Sequence, residues 1–201
     1  MMSSLSSFYM DSCCFIDMAK KAIQVPMDAD REPHIFFCRK FIEAARAKHL
    51  AIYTSTITAV ECVKLTDDTK PGGPTREDDS IKELFKKMLM SGRSGVMPVM
   101  PTPVITELAR DLRWNHGITC KPIDRLHLAT ALAMNCSHFF TTDDKLGQQN
   151  VSKLGTLGLA ICRSNAAVEL LPDQYKQLPL EGSKLAKTKS AASQAGAGSA
   201  A

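Results

Sequence analysis

The sequence predicts an α/β fold in which helices cover both faces of a mainly parallel sheet. Short apolar runs rich in strand-forming residues alternate with stretches of helical spacing, and this alternation is typical of βαβ units. The chain has 201 residues, a length that suits one domain with some extra segments. Apolar residues make up 44% and charged residues 23% of the chain, which is the balance of a globular protein.

The first quarter of the chain contains two apolar runs with β-forming residues and two stretches of helical spacing. The first run stops at an Asp-Ser pair, as a strand does that ends in a turn. Phe37, Phe41 and Ala44 fall on one face of the second helical stretch. The predicted elements are, in order, a strand at residues 8–10, helices at 14–23 and 36–48, and a strand at 50–55.

A helix and a long loop are expected next. Thr56 suits the N-cap of this helix, which would carry Glu61 in its second turn. Residues 66–80 then bring a Pro-Gly-Gly-Pro segment together with two acidic pairs. Because proline and glycine interrupt regular structure, this segment is predicted to be a mobile loop.

The second half of the chain continues the alternation of helices and strands. Pro103 suits the first turn of a helix, where its missing N–H is tolerated. Leu128 and Ala131 share the buried side of the clearest helix. The predicted elements are helices at 81–90, 103–114 and 121–135, strands at 95–100, 137–142 and 157–162, and an edge strand at 168–171.

The domain is expected to span residues 8–175. From Gly182 the sequence consists mainly of Ala, Gly, Ser and Lys, so residues 182–201 are predicted to be a disordered tail. No apolar run approaches the roughly 20 residues that a membrane span needs. Since the first lysine is Lys20, the start also lacks the basic segment of a signal peptide, and a cytoplasmic location is expected.

The net charge and the cysteine content exclude few classes of function. The net charge is +4, but three lysines and one acid after residue 180 contribute +2 of it, which is weak support for a nucleic-acid partner. The seven cysteines form an odd set without a C-x-x-C pair. They therefore indicate reduced, packed thiols rather than a disulfide framework or a zinc site.

Four acidic residues lie just after a predicted strand or early in the helix that follows one: Asp11, Glu61, Asp124 and Asp143. The carboxyl ends of parallel strands share one edge of the sheet, where α/β proteins place their ligands. Carboxylates that meet there would repel one another unless they held a cation such as Mg²⁺ or Mn²⁺. Each acid also has an ordinary explanation, as a helix cap, a turn residue or a solvated charge.

The amino-acid sequences of four segments resemble the motifs of the PIN-domain nucleases. These segments are residues 9–17 (Tyr-Met-Asp-Ser-Cys-Cys-Phe-Ile-Asp), 54–61 (Thr-Ser-Thr-Ile-Thr-Ala-Val-Glu), 123–131 (Ile-Asp-Arg-Leu-His-Leu-Ala-Thr-Ala) and 140–143 (Phe-Thr-Thr-Asp). The four segments are similar to those of the VapC-like group, whose members are the toxins of toxin–antitoxin pairs. The resemblance implies a three-layer α/β/α sandwich, Mg²⁺-dependent (or Mn²⁺-dependent) endonucleolytic cleavage of RNA, a small antitoxin partner and a homo-oligomer.

The resemblance also implies roles for single residues. Asp11, Asp124 and Asp143 would bind the ion, and Glu61 would bind it directly or through water. Ser12 and Thr141 are candidates to hold these carboxylates by hydroxyl hydrogen bonds, and Arg125 to steer the RNA backbone. The sequence departs from the family pattern at Cys13, where Asn or another small polar residue is frequent, and in the Pro-Gly loop, which lengthens the link after Glu61. Asp17 and Asp144 lie near enough to be mistaken for ligands, and Asp144 is also a candidate to contact a ligand or the substrate. His127 could contact phosphate or be structural.

Asp143 is preferred to Asp144 because residues 141–146 then match the family's Thr-x-Asp-x-x-Leu spacing. Two other functions remain open. The chain could be a catalytically inactive PIN-like module that binds RNA or protein. It could also be a phosphatase or a DNA nuclease, since carboxylate-bound magnesium does not itself choose a substrate.

Overall fold

The computed structural model of the protein describes residues 5–177, and its centre is a five-stranded parallel sheet. The strands of this sheet are β1 (Ser7–Met10), β2 (Ala51–Ser55), β5 (Val96–Val99), β6 (His138–Phe140) and β7 (Ala160–Cys162), and a separate antiparallel pair consists of β3 (Leu65–Thr66) and β4 (Thr75–Arg76). The sheet has the order β5-β2-β1-β6-β7. All of its strands therefore end at one common edge.

Seven α-helices connect these strands: α1 (Ser12–Ala22), α2 (Glu32–Arg46), α3 (Thr58–Glu61), α4 (Asp79–Leu89), α5 (Pro103–Trp114), α6 (Pro122–Ala133) and α7 (Asp144–Thr156). Within residues 5–177, none of the helices is long and apolar enough to cross a membrane.

The alternation of side chains along the central strands divides the core into two clusters. Phe8 of β1 and Phe140 of β6 face a first cluster, to which α1, α2 and α4 contribute. Tyr9 and Phe139 face the opposite way, into a second cluster with α5, α6 and α7. Because successive residues of a strand point to opposite faces, helices must cover both sides. The structure thus confirms the predicted α/β/α sandwich with a parallel sheet.

Three sequence-based predictions about secondary structure are wrong. Thr56 does not cap α3, because Ile57 occupies the N-cap and the helix is a single turn that Glu61 ends. Residues 168–171 form no edge strand, since Ser164–Leu170 is a 3₁₀ helix that places Ala167 in the first core cluster. The segment at 66–80 is not wholly a loop, because β3 and β4 pair within it. The predicted tail at 182–201 lies outside the described residues.

A tight turn and a pair of ionic contacts determine the position of the segment between α3 and α4. Gly73 lies so close to the carbonyl oxygen of Asp67 that an added Cβ would come within 2.1 Å of it, so only glycine fits this turn. Asp68 forms an ion pair with Lys20 of α1 and lies 3.4 Å from the guanidinium of Arg31. The hairpin is therefore tied to the layer that contains α1.

Candidate metal centre

Asp11 lies directly after β1 and is the N-cap of α1. Its carboxylate accepts hydrogen bonds from the backbone N–H of Ser12 at 2.8 Å and from the hydroxyl of Thr141 at 2.9 Å. Its own N–H donates to the carbonyl of Phe140 at 3.1 Å. Both the backbone and the side chain of Asp11 are thus held against the end of β6, which gives this carboxylate a fixed position at the edge of the sheet.

Glu61 ends α3 and turns its carboxylate toward Asp11. One of its oxygens, Oε2, lies 2.8 Å from Nε2 of His127. Burial acts against ionisation of the Glu61 carboxyl, but the hydrogen bond with His127 opposes this effect, and the pKa of Glu61 is lowered. Asp11, Glu61 and His127 each offer one atom to a group in which all atoms lie within 4.8 Å of one another.

Asp124 is the third residue of α6 and accepts a hydrogen bond from the backbone N–H of Lys121 at 3.2 Å. Burial and then the negative charge of Asp11 raise the pKa of the Asp124 carboxyl, and Asp143 adds a smaller contribution in the same direction. These three carboxylates therefore share one electrostatic environment. Asp124 and Asp143 are not members of the 4.8 Å group.

Asp143 is the N-cap of α7 and is exposed. Its carboxylate accepts hydrogen bonds from the N–H groups of Lys145 at 2.9 Å and Leu146 at 3.2 Å, and its own N–H donates to the hydroxyl of Thr141. Asp144 is also exposed, and its carboxylate lies 3.4 Å from the guanidinium of Arg163. The charge of Asp143 makes a small contribution to the raised pKa of Asp124.

The other predicted site residues differ in their positions. Thr141 contacts both Asp11 and the backbone of Asp143. The hydroxyl of Ser12 lies 3.5 Å from the Asp11 carboxylate, so its backbone N–H makes the stronger contact. Arg125 donates to the carbonyl of Cys120, and this contact directs its guanidinium to the backbone of its own chain.

Cys13 takes the place at which a small polar side chain was expected. Its Sγ lies 3.4 Å from the Asp11 carboxylate and 3.3 Å from the hydroxyl of Thr141, and it accepts a hydrogen bond from the N–H of Thr142. A thiol is a weak donor. Cys13 therefore occupies the expected position in the hydrogen-bond network but supports Asp11 less than an amide would.

Two residues of the site escaped the sequence analysis or were given another role. His127 was considered for phosphate contact, whereas the structure directs its ring to Glu61 and Tyr9. Its spacing of three residues from Asp124 places both on one side of α6, and this was the available signal. The sequence did not indicate a role for Tyr9, because an aromatic residue in a buried strand is usually part of the hydrophobic core.

The donor set at this edge fits a hard divalent cation. The atoms that converge are carboxylate oxygens, which Mg²⁺ and Mn²⁺ prefer. Burial contributes most to the raised pKa of Asp124 and the negative charge of Asp11 contributes next, and a bound cation would offset that repulsion. Asp11, Glu61, Asp124 and Asp143 would hold such an ion, while His127 already uses its Nε2 for Glu61.

A second cluster of potential ligands lies buried in the first core and consists of Cys14, His34 and Cys38. His34 Nδ1 accepts a hydrogen bond from the N–H of Ser164 at 2.9 Å, so the hydrogen of the neutral ring lies on Nε2. Nε2 faces the sulfur of Cys38 at 3.4 Å and cannot bind a metal ion while it carries that hydrogen. This cluster is therefore a hydrogen-bonded part of the core.

Comparison with known proteins identifies one family. The family model of the PIN domain matches residues 25–153, which is more than half of the chain. The matched segment contains Glu61, Asp124 and Asp143, and Asp11 precedes it. Comparison with curated proteins and with solved structures gave no significant match. PIN domains have a nuclease-type fold and typically bind divalent metal ions. The chain belongs to the PIN domain family.

Proposed function

We propose that the protein is an endoribonuclease that uses Mg²⁺ or Mn²⁺ to hydrolyse phosphodiester bonds of RNA. The observation that carries this proposal is that Asp11 and Glu61 form one group in a PIN domain, and the negative charges of Asp11 and Asp143 act on the nearby Asp124. Like charges placed close together reduce stability unless a cation offsets them. A metal-dependent reaction gives this arrangement a purpose.

The geometry supports a division of labour within the site. A bound divalent cation shields the charge of a phosphodiester and lowers the pKa of a water molecule. Thr141 and the N–H of Ser12 hold Asp11 in place, and His127 holds Glu61. Asp143 is exposed, so the cluster opens to solvent on that side and a polymer can reach it.

We further propose that the protein is a VapC-like toxin of the cytoplasm, inhibited by a small antitoxin and active as a homo-oligomer. The four motif segments support this subtype. A growth arrest on expression, which co-expression of the protein encoded next to this gene relieves, is the expected result. An expression strain that grows normally with the active nuclease would contradict the toxin assignment and leave the nuclease assignment intact.

The first test compares two variants, Asp143→Asn and Asp144→Asn. Asp143→Asn removes one negative charge from the cluster and should lower the rate of Mg²⁺-dependent RNA cleavage at least about 100-fold. Asp144→Asn alters a neighbouring exposed carboxylate that pairs with Arg163, so it should cleave at close to the original rate. The measurement is the initial rate on a labelled RNA, with and without EDTA.

The same assay separates the alternative functions. Single-stranded DNA and a simple phosphate ester are offered beside RNA, and the proposal requires that RNA is cleaved fastest. Cleavage that survives both EDTA and Asp143→Asn would overturn the metal-dependent mechanism. RNA binding without any cleavage under all metal conditions would favour the inactive PIN-like module.

A further inference from the structure

We propose that His127 is a positioning residue that orients Glu61 for the cation, and that Tyr9 and the backbone of Ser55 fix its ring. This inference rests on the proposed function, because it assigns a role within the same site. The observation behind it is a buried series of hydrogen bonds from the Ser55 N–H through Tyr9 and His127 to Glu61. We call these four residues the Tyr9–His127 relay.

The direction of each hydrogen bond in the relay follows from the available donors. The backbone N–H of Ser55 donates to the Tyr9 oxygen at 2.7 Å. The phenolic hydrogen then goes to Nδ1 of His127, also at 2.7 Å, which leaves the hydrogen of the neutral ring on Nε2. Nε2–H donates to Glu61 Oε2 at 2.8 Å. One tautomer of His127 satisfies every polar atom of both rings.

Burial makes this arrangement rigid. Tyr9 is 0% and His127 1% exposed. Their rings make an edge contact with centroids 5.9 Å apart, and Tyr9 also stacks on Phe139. A rotated His127 ring would leave the buried hydroxyl of Tyr9 without its acceptor, and an unpaired buried polar group is costly. The His127 ring therefore keeps its Nε2 atom directed at Glu61.

Glu61 needs such an anchor because its own element holds it weakly. The helix α3 is a single turn without a side-chain cap, and short helices have little stability of their own. The Glu61 side chain is 24% exposed. The hydrogen bond from His127 occupies Oε2 and leaves Oε1 for the cation, on the carboxylate that forms one group with Asp11.

The relay also connects the elements that carry the acids. Tyr9 lies two residues before Asp11 in the chain, and His127 lies one helical turn after Asp124 in α6. Glu61 is thus held by residues whose backbones continue into the segments of Asp11 and Asp124. A histidine that supports a ligand in this way is expected to affect metal affinity about 10–100-fold.

The first experiment measures Mn²⁺ binding by electron paramagnetic resonance of the free ion, without substrate. His127→Leu should weaken binding about 10–100-fold. His127→Gln keeps an N–H near the position of Nε2 and should recover most of the lost affinity. The matched control is Leu128→Ala, which disturbs the same helix and the same core cluster without touching Glu61. It should lower the melting temperature and leave Mn²⁺ affinity unchanged.

Kinetics and nuclear magnetic resonance complete the test. His127→Leu should lower kcat for RNA cleavage more than it raises KM, because Glu61 acts on the cation and not on RNA binding. In the ¹⁵N spectrum of the intact protein at alkaline pH, Nδ1 of His127 should appear as the bare acceptor. Tyr9→Phe removes only the hydroxyl that donates to Nδ1, while Glu61 still accepts from Nε2, so it should weaken Mn²⁺ binding less than His127→Leu does.

Different results overturn the two proposals. Native Mn²⁺ affinity in folded His127→Leu, or a hydrogen on Nδ1 of the original protein, would overturn the relay even if RNA is cleaved. Failure of the original protein to bind Mn²⁺ or to cleave RNA would overturn the proposed function. In that case the relay, as a role toward a cation, falls with it.

Discussion

Asp17 is an acidic residue of α1 that lies close to the candidate metal centre and serves a different purpose. It is 1% exposed, and its carboxylate forms an ion pair with Arg31 at 3.0 Å. It also accepts a hydrogen bond from the hydroxyl of Thr142 at 3.1 Å. Asp17 therefore joins α1 to the segment that leads into Asp143, and its charge is already balanced.

Replacement of Asp17 by Asn should lower the free energy of unfolding by about 3 kcal/mol, because it leaves the partly buried guanidinium of Arg31 without its closest carboxylate. Urea unfolding followed by circular dichroism measures the change. The control is Glu43→Gln, which breaks an exposed pair with Lys40 and should cost less than about 1 kcal/mol. Equal effects of the two variants would contradict this account of Asp17.

The sequence predicted the acids of the candidate site because their position after strands is a local pattern. It could not show their partners, since the contacts of Asp11 with Thr141 and of Glu61 with His127 join residues that are far apart in the chain. The choice between Asp143 and Asp144 also depended on geometry. The structure places Asp144 beside Arg163, which the sequence could not show, and the preference for Asp143 stays a prediction.

At the scale of elements, helices with a strong start signal were predicted well and short or polar ones were not. Pro103 begins α5, as the sequence predicted. The helix α7 was not anticipated, because Gly147 and Gly155 interrupt its pattern. Its buried polar residue Asn150 accepts a hydrogen bond from the N–H of Thr119 at 3.1 Å, a tertiary contact that no local pattern reveals.

The N-cap of α5 offers a test at this scale. The Thr102 hydroxyl accepts a hydrogen bond from the N–H of Ile105 at 3.3 Å. Thr102→Ala should reduce the free energy of unfolding by about 1 kcal/mol, because that N–H then loses its partner in the protein. Thr106→Ala in the same helix removes a hydroxyl bonded to the carbonyl of Thr102 and should change it by less than about 0.5 kcal/mol.

Thermal or urea unfolding of both variants gives the comparison. If Thr106→Ala destabilises the protein more than Thr102→Ala, the cap is not what fixes the start of α5. The helix α5 packs against α6, which carries Asp124. The same measurement therefore tests the stability of the helix packing next to Asp124.

At the scale of the whole molecule, both core clusters are built from residues between Phe8 and Leu171, with Tyr175 packed against the first. This agrees with the domain boundaries expected from composition, although those boundaries remain a prediction. The fold class followed from the alternation of strands and helices. The order of the strands did not, because pairing between distant strands leaves no mark in a local pattern.

Removal of residues 182–201 should leave the free energy of unfolding unchanged within about 0.5 kcal/mol. The reason is that the removed sequence is poor in apolar residues and both core clusters lie before it. Urea unfolding of the full and the shortened chain provides the measurement. A loss of more than about 1 kcal/mol would show that the removed segment contributes to the folded domain.

The central place of β1 has a consequence for biosynthesis. This strand precedes the other strands of the sheet in the chain, and its neighbour β6 and the acid Asp143 emerge from the ribosome more than a hundred residues after it. A nascent chain without them can neither close the sheet around β1 nor gather the carboxylates. Under the proposed function, the enzyme cannot attack its own messenger RNA until translation of its domain is nearly finished.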